Sequence, residues 1–108
     1  AFYNCFSLKS IVIPNSLTSI GNATFYNCVS LESVVIPNGV TSIGKGAFDN
    51  CESLESIIIP SSVTQIGVFV FSNCDLLTIY CEAESQPDDW SHLWNENNCP
   101  VVWGYTGE

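Results

Sequence analysis

The sequence contains no methionine, only two basic residues (Lys9 and Lys45) and a single histidine, His92. Against eleven acidic residues this leaves a net charge of −9. Phosphate backbones and anionic bilayers are both bound by clustered Lys and Arg. Nucleic acid and direct membrane insertion are therefore excluded as partners. No apolar run approaches the roughly 18 residues that span a bilayer. No Cys-x-x-Cys pair occurs, which removes the usual zinc spacing, and no phosphate loop is present. His92 stands alone beside an acidic stretch, with no nucleophile paired to it. The acid pairs Asp88-Asp89 and Glu82 with Glu84 are neighbours on exposed turns, whereas glycoside hydrolysis needs two carboxylates facing across a cleft. These absences point away from an enzyme and from any cofactor or metal. With no Met and with Ala1 in the middle of a repeat unit, the chain reads as a segment of a longer protein, with any export signal lying upstream.

What the sequence does have is a period. Phe-x-Asn-Cys occurs four times at 23-residue intervals, as Phe2-Tyr3-Asn4-Cys5, Phe25-Tyr26-Asn27-Cys28, Phe48-Asp49-Asn50-Cys51 and Phe71-Ser72-Asn73-Cys74. Leu8, Leu31, Leu54 and Leu77 recur in phase, as do Ile13, Ile36 and Ile59, Pro14, Pro37 and Pro60, and Gly21, Gly44 and Gly67. A unit of this length cannot bury its own apolar face and must stack on a neighbour, so the repeat predicts a solenoid.

In the unit 31–53, β-branched Val34-Val35-Ile36 predicts a short strand. Leu31, Val34 and Ile36 point inward there, and Glu32, Ser33 and Val35 point outward. Pro37 ends the strand because it cannot donate to a ladder. Val40-Thr41-Ser42-Ile43 alternates and predicts a second short strand. Ala47 and Phe48 pack inward. The Asn column (Asn4, Asn27, Asn50 and Asn73) is open to a functional or a structural reading.

Six cysteines suggest disulfides by count, but the spacing of four opposes it. Cys5, Cys28, Cys51 and Cys74 share one repeat position. Stacked rungs are about 4.8 Å apart with side chains parallel, whereas a disulfide needs Cβ atoms nearer 3.8 Å and turned towards each other. The column therefore reads as buried thiols acting as small hydrophobes. Cys81 and Cys99 fall outside it, and the sequence leaves open whether they pair.

The pattern breaks after Leu77, where one residue is missing, and residues 82–108 read as having no 23-residue echo. Two regions are expected: a solenoid over 1–81 and a capping segment over 82–108 packed on the last repeat. The segment carries all three tryptophans. Asp88 to Trp94 predicts one or two helical turns with Trp90 and Trp94 on one face, and Pro100 to Trp103 a final strand. Such a segment covers the last rung of a solenoid. Trp beside acids is also the chemistry of sugar binding, so a sugar-binding module using Trp90, Trp94 and Trp103 is an alternative.

The outward strand positions form columns: Lys9, Glu32, Glu55 and Thr78; Ser10, Ser33 and Ser56; Val12, Val35, Ile58 and Tyr80. The last is apolar on an uncovered face. It either stabilises the sheet through cross-strand pairs or meets a partner. Lys9, Val12, Glu32, Val35, Glu55, Ile58, Thr78 and Tyr80 are the candidate interaction residues. Ile11-Val12-Ile13 lacks a preceding rung, and an unpaired strand edge recruits other chains, so edge-to-edge self-association is expected there. Asn22-Ala23-Thr24 is a glycosylation sequon, relevant only in a secretory eukaryote.

The recurring Leu-x-x-Ile-x-Ile-Pro-x-x-Val-Thr-x-Ile-Gly-x-x-Ala-Phe-x-x-Cys resembles the BspA-like leucine-rich repeats, largely found on bacterial surface proteins. The resemblance covers residues 1 to about 81. It implies a right-handed solenoid with a parallel sheet on a concave face, α/β by leucine-rich-repeat convention but mainly β, and an Asn column that is buried and bonds free backbone groups of the turn. It further implies a secreted or surface-anchored, adhesion-type parent that binds a protein or cell-surface ligand, with this chain as its C-terminal part. A structural spacer with no ligand of its own is the other alternative.

Overall fold

The computed structural model describes residues 7–106. The first Phe-x-Asn-Cys copy, with Asn4 and Cys5, lies outside them. The described chain forms eight short strands: β1 (Ser10–Val12), β2 (Ser19–Ile20), β3 (Ser33–Val35), β4 (Ser42–Ile43), β5 (Ser56–Ile59), β6 (Gln65–Ile66), β7 (Thr78–Cys81) and β8 (Val101–Trp103). They make two parallel sheets, ordered β1-β3-β5-β7-β8 and β2-β4-β6. The sequence period becomes the register directly, since Ser10 pairs with Ser33, Ser33 with Ser56, and Ile20 with Ile43.

The solenoid is mainly β as expected, and no helix occurs among the described residues. The third side of each rung is a chain of turns. In residues 45–50, Ala47 N–H donates to Gly44 O at 3.2 Å and Asp49 N–H to Gly46 O at 3.1 Å. Gly46 and Asn50 both have φ of +64°, which stops a right-handed helix from propagating. The remaining amides bond sideways to the next rung: Gly46 N–H to Val68 O at 3.1 Å, Phe48 N–H to Val70 O at 3.0 Å and Asn50 N–H to Ser72 O at 2.7 Å. Stacking satisfies what a helix would have satisfied internally.

Asp88 to Trp94 is likewise turns rather than the expected helical turns. Trp90 N–H reaches Pro87 O at 3.3 Å and Trp94 N–H reaches Ser91 O at 3.0 Å, while Ser91 N–H is taken across the stack by Ile66 O at 2.8 Å.

The core is a set of columns. The Phe25 and Phe48 rings lie parallel with centroids 5.2 Å apart, and Phe48 and Phe71 follow at 5.8 Å. Trp94, 23 residues beyond Phe71, takes the next place edge-on at 6.2 Å. Residues 82–103 thus carry the columns one rung further. Phe69 N–H donates to Leu93 O at 3.1 Å, and β8 pairs with β7, Ile79 opposite Val101 and Cys81 opposite Trp103. Trp90 and Trp94 are both 4% exposed and meet at 4.8 Å, with Trp103 against both.

In the cysteine column Cys51 and Cys74 are free, buried thiols, and they also have a polar role. Cys51 donates its S–H to Phe25 O at 3.2 Å and Cys74 to Phe48 O at 3.0 Å. Cys99 donates to Cys74 O at 3.4 Å, so it extends this column instead of lying outside it. Cys81 and Cys99 are both free and buried, not paired.

The Asn column differs from expectation. Asn27, Asn50 and Asn73 are half-buried or exposed and all have φ near +60°, a backbone state Asn tolerates better than most residues. Asn50 Nδ2 donates to Asn27 Oδ1, and Asn73 Nδ2 to Asp49 Oδ1 at 3.5 Å. Asn50 bonds along the column and Asn73 bonds the Asp49 carboxylate of the preceding rung, while the thiols of Cys51 and Cys74 reach carbonyls of the turns.

Burial pushes the Cys81 thiol up to about 12. Cys51 is pushed far above the ordinary thiol range by its hydrogen-bonded neighbour Cys74 and by burial. For such groups stability is complete below the unfolded thiol pKa of about 8.5 and is lost as pH rises towards the folded value. Within that window each retained proton lowers stability by about 1.4 kcal/mol per pH unit. Urea melts of the native chain and Cys81→Ala between pH 7 and 11 check this. The native chain is expected to lose stability faster above pH 9, and equal slopes for the two proteins contradict it.

Candidate interaction face

Strand alternation places the outward residues of the five-stranded sheet on one uncovered face. Val35 stands opposite Val12 and Ile58, and Ile58 opposite Tyr80. Tyr80 in turn stands opposite Val102, which the strand pairing adds to the row. Val12, Val35, Ile58 and Val102 are 76, 59, 43 and 41% exposed, so the row is apolar surface open to water along the whole sheet. At the β8 end the rings of Tyr80 and Tyr105 meet at 4.8 Å and 50°. The row expected from the sequence ends at Tyr80; alternation in Val101-Val102-Trp103 is the signal that extends it to Val102. Nothing local in the sequence marks Tyr105, which arrives when its N–H bonds to Cys81 O at 2.9 Å.

Lys9, Glu32 and Glu55 are exposed just before their strands and line the flank where the strands begin. Thr78 does not continue that column. The missing residue falls immediately before β7, so Thr78 pairs with Ser56 and joins Ser10, Ser33 and Ser56. Glu82 borders the opposite flank and accepts from Ser61 N–H at 2.9 Å. The candidate residues thus gather into an apolar row between two borders of mainly acidic charge.

The other titratable groups are engaged or dispersed. Burial pushes the Asp49 carboxyl up on the turn side, where Ser72 Oγ bonds Glu96. Asp88 and Asp89 lie exposed in a turn, and His92 is exposed beside the buried tryptophans. Among the described residues no group of His, Cys, Asp and Glu is arranged to hold a metal. Among the described residues no helix long and apolar enough to cross a membrane occurs.

The family profile of BspA-type leucine-rich repeat regions matches residues 1–86 in six copies. The chain belongs to the BspA-type leucine-rich repeat family. Solved structures agree with this BspA-type fold. A leucine-rich cell surface protein from Faecalibacterium prausnitzii A2-165 is similar with a TM-score of 0.75 and 28% identity over 95% of this chain. A leucine-rich repeat protein from Bacteroides ovatus ATCC 8483 gives 0.64 and 26% over 88%. The leucine-rich repeat protein of T. pallidum gives 0.63 and 23% over 88%, a likeness of fold. The BspA-type chain spans 28, 33 and 52% of these three proteins respectively. No curated protein sequence matches it.

Proposed function

We propose that this chain is a non-enzymatic protein-interaction module of adhesion type, part of a longer secreted or cell-surface protein, and that the outward row of the five-stranded sheet is its binding face. The observation that carries the proposal is the row itself: Val12, Val35, Ile58 and Val102 stay exposed in register across one sheet face, whereas the other exposed apolar side chains stand outside the strands. Contiguous exposed apolar surface of this kind marks interaction sites. The Faecalibacterium relative is a cell surface protein spanning more than this chain, which supports placing the module in a larger surface protein.

The sugar-binding alternative relied on tryptophans that face inward. Trp90 N–H is spent on Val63 O at 3.3 Å and Trp94 N–H on Gln86 Oε1 at 3.0 Å. Self-association through β1 is a second element of the proposal. Among the described strands β1 pairs with β3 alone, and beside it Ile11, Ile13, Leu17, Ile20 and Phe25 line a hollow of about 510 Å³.

The test is a side-by-side screen of the purified chain against immobilised extracellular-matrix proteins and a glycan array. Binding to a protein surface that Ile58→Asp lowers at least tenfold is expected. Glycan binding that Ile58→Asp leaves intact overturns the reading, and a chain that binds neither is a spacer.

A further inference from the structure

The row has a fixed spacing that limits what lies along it. Parallel strands repeat every ~4.8 Å, so Val12, Val35, Ile58, Tyr80 and Val102 form a line of apolar contacts at that interval. An extended segment laid across the strands presents same-side residues every ~6.6 Å, and slips out of step by nearly 2 Å per rung. An α-helix rises about 5.4 Å per turn, within ~0.6 Å of the rung spacing, so each turn meets one rung across the row. The row lies on the face of the sheet. A partner strand adds at an edge, so strand addition does not use these residues.

Charge selects among helices. Glu32 and Glu55 border the row where the strands begin, and Glu82 and Glu84 follow the end of β7 on the other side, against Lys9 alone. At its β8 end the row finishes in the Tyr80–Tyr105 ring pair, which offers aromatic faces to a cation.

We propose, on the reading that this row is the binding face, that its occupant is a cationic amphipathic helix of the partner protein, lying across the strands with its apolar stripe on Val12, Val35, Ile58 and Val102 and its Lys or Arg residues against Glu32, Glu55 and Glu82.

Three designed peptides of about 18 residues, roughly five turns, test this. One carries Leu at helical spacing with Lys on both flanks, the second replaces Lys with Glu, and the third has the first peptide's composition in strict alternation. Binding is read by fluorescence anisotropy against the native chain, Glu32→Gln/Glu55→Gln and Ile58→Asp, each checked for native circular dichroism. The expected result is binding of the first peptide only, weakened about tenfold by Glu32→Gln/Glu55→Gln and abolished by Ile58→Asp. Equal binding of the Lys and Glu helices overturns the proposal, and so does no binding of the first peptide. Preference for the alternating peptide, still lost in Ile58→Asp, overturns the helix while leaving the binding face standing. Binding that Ile58→Asp leaves unchanged overturns both.

Discussion

A chain ending at Cys81 is expected not to fold. The truncation removes β8, the last partner of β7, and uncovers Phe71, Cys74 and Ile79, each at most 1% exposed in the native fold. It also removes Trp90 and Trp94, whose rings close the stack. Removing a large buried side chain costs about 3–5 kcal/mol. Two such losses approach or exceed the roughly 5–15 kcal/mol that holds a whole domain together. Circular dichroism and amide dispersion should show residues 1–81 unfolded. Trp90→Ala and Trp94→Ala in the full chain should each lower stability by about 3 kcal/mol. A cooperative melt from the truncated chain would contradict this account of residues 82–108.

The second large effect is at Gly44. A Cβ there stands 2.6 Å from Asn22 N and 2.8 Å from Gly21 C, and meets Asn22 Oδ1 as well. Two of these atoms are backbone, and Asn22 Oδ1 is held by the Lys45 N–H at 2.9 Å, so the neighbouring rung cannot yield locally. Gly44→Ala should therefore cost about 2–3 kcal/mol, at the upper end for overpacking. Gly21 occupies the same repeat position, but among the described residues nothing is nearer to a Cβ there than Thr24 Oγ1 at 3.5 Å. Gly21→Ala should stay within about 0.5 kcal/mol of the native chain. Chemical denaturation of the two variants decides it, and similar losses for both would show that backbone strain, not rung-to-rung approach, explains the glycine column.

Much of the fold was legible because a solenoid writes its register into its period. Leu31, Val34 and Ile36 inward and Val35 outward followed from alternation, and Ser33 facing Ser56 followed from the 23-residue spacing. The errors sit where the spacing shifts. A single omitted residue before β7 moves Thr78 from Glu55 to Ser56. In the next rung Trp94 keeps the phenylalanine position by exchanging one ring for another. Two extra residues then carry Cys99 and Asn98, with its φ of +57°, 25 places beyond Cys74 and Asn73. A search for identical residues at a fixed interval passes over such a rung. Trp90 and Trp94 have helical spacing, but the lateral bond from Ser91 to Ile66 holds that stretch against the stack instead. Of the binding face, the apolar row was readable up to Tyr80. The Tyr80–Tyr105 pair depends on a bend at Gly104, φ +70°, after which the Tyr105 N–H bonds to Cys81 O, bringing residues 25 apart together.

The central claim is that the exposed row serves a partner and is not there only to stiffen the sheet. Both roles use the same side chains, but they give different results in Val35→Ser/Ile58→Ser. Cross-strand pairs on an open face contribute about 0.2–1 kcal/mol each. Measuring unfolding free energy and partner affinity on this one variant tests the claim most directly. The account predicts stability within about 1–2 kcal/mol of the native chain and binding reduced at least tenfold. A stability loss of several kcal/mol with binding unchanged would contradict it.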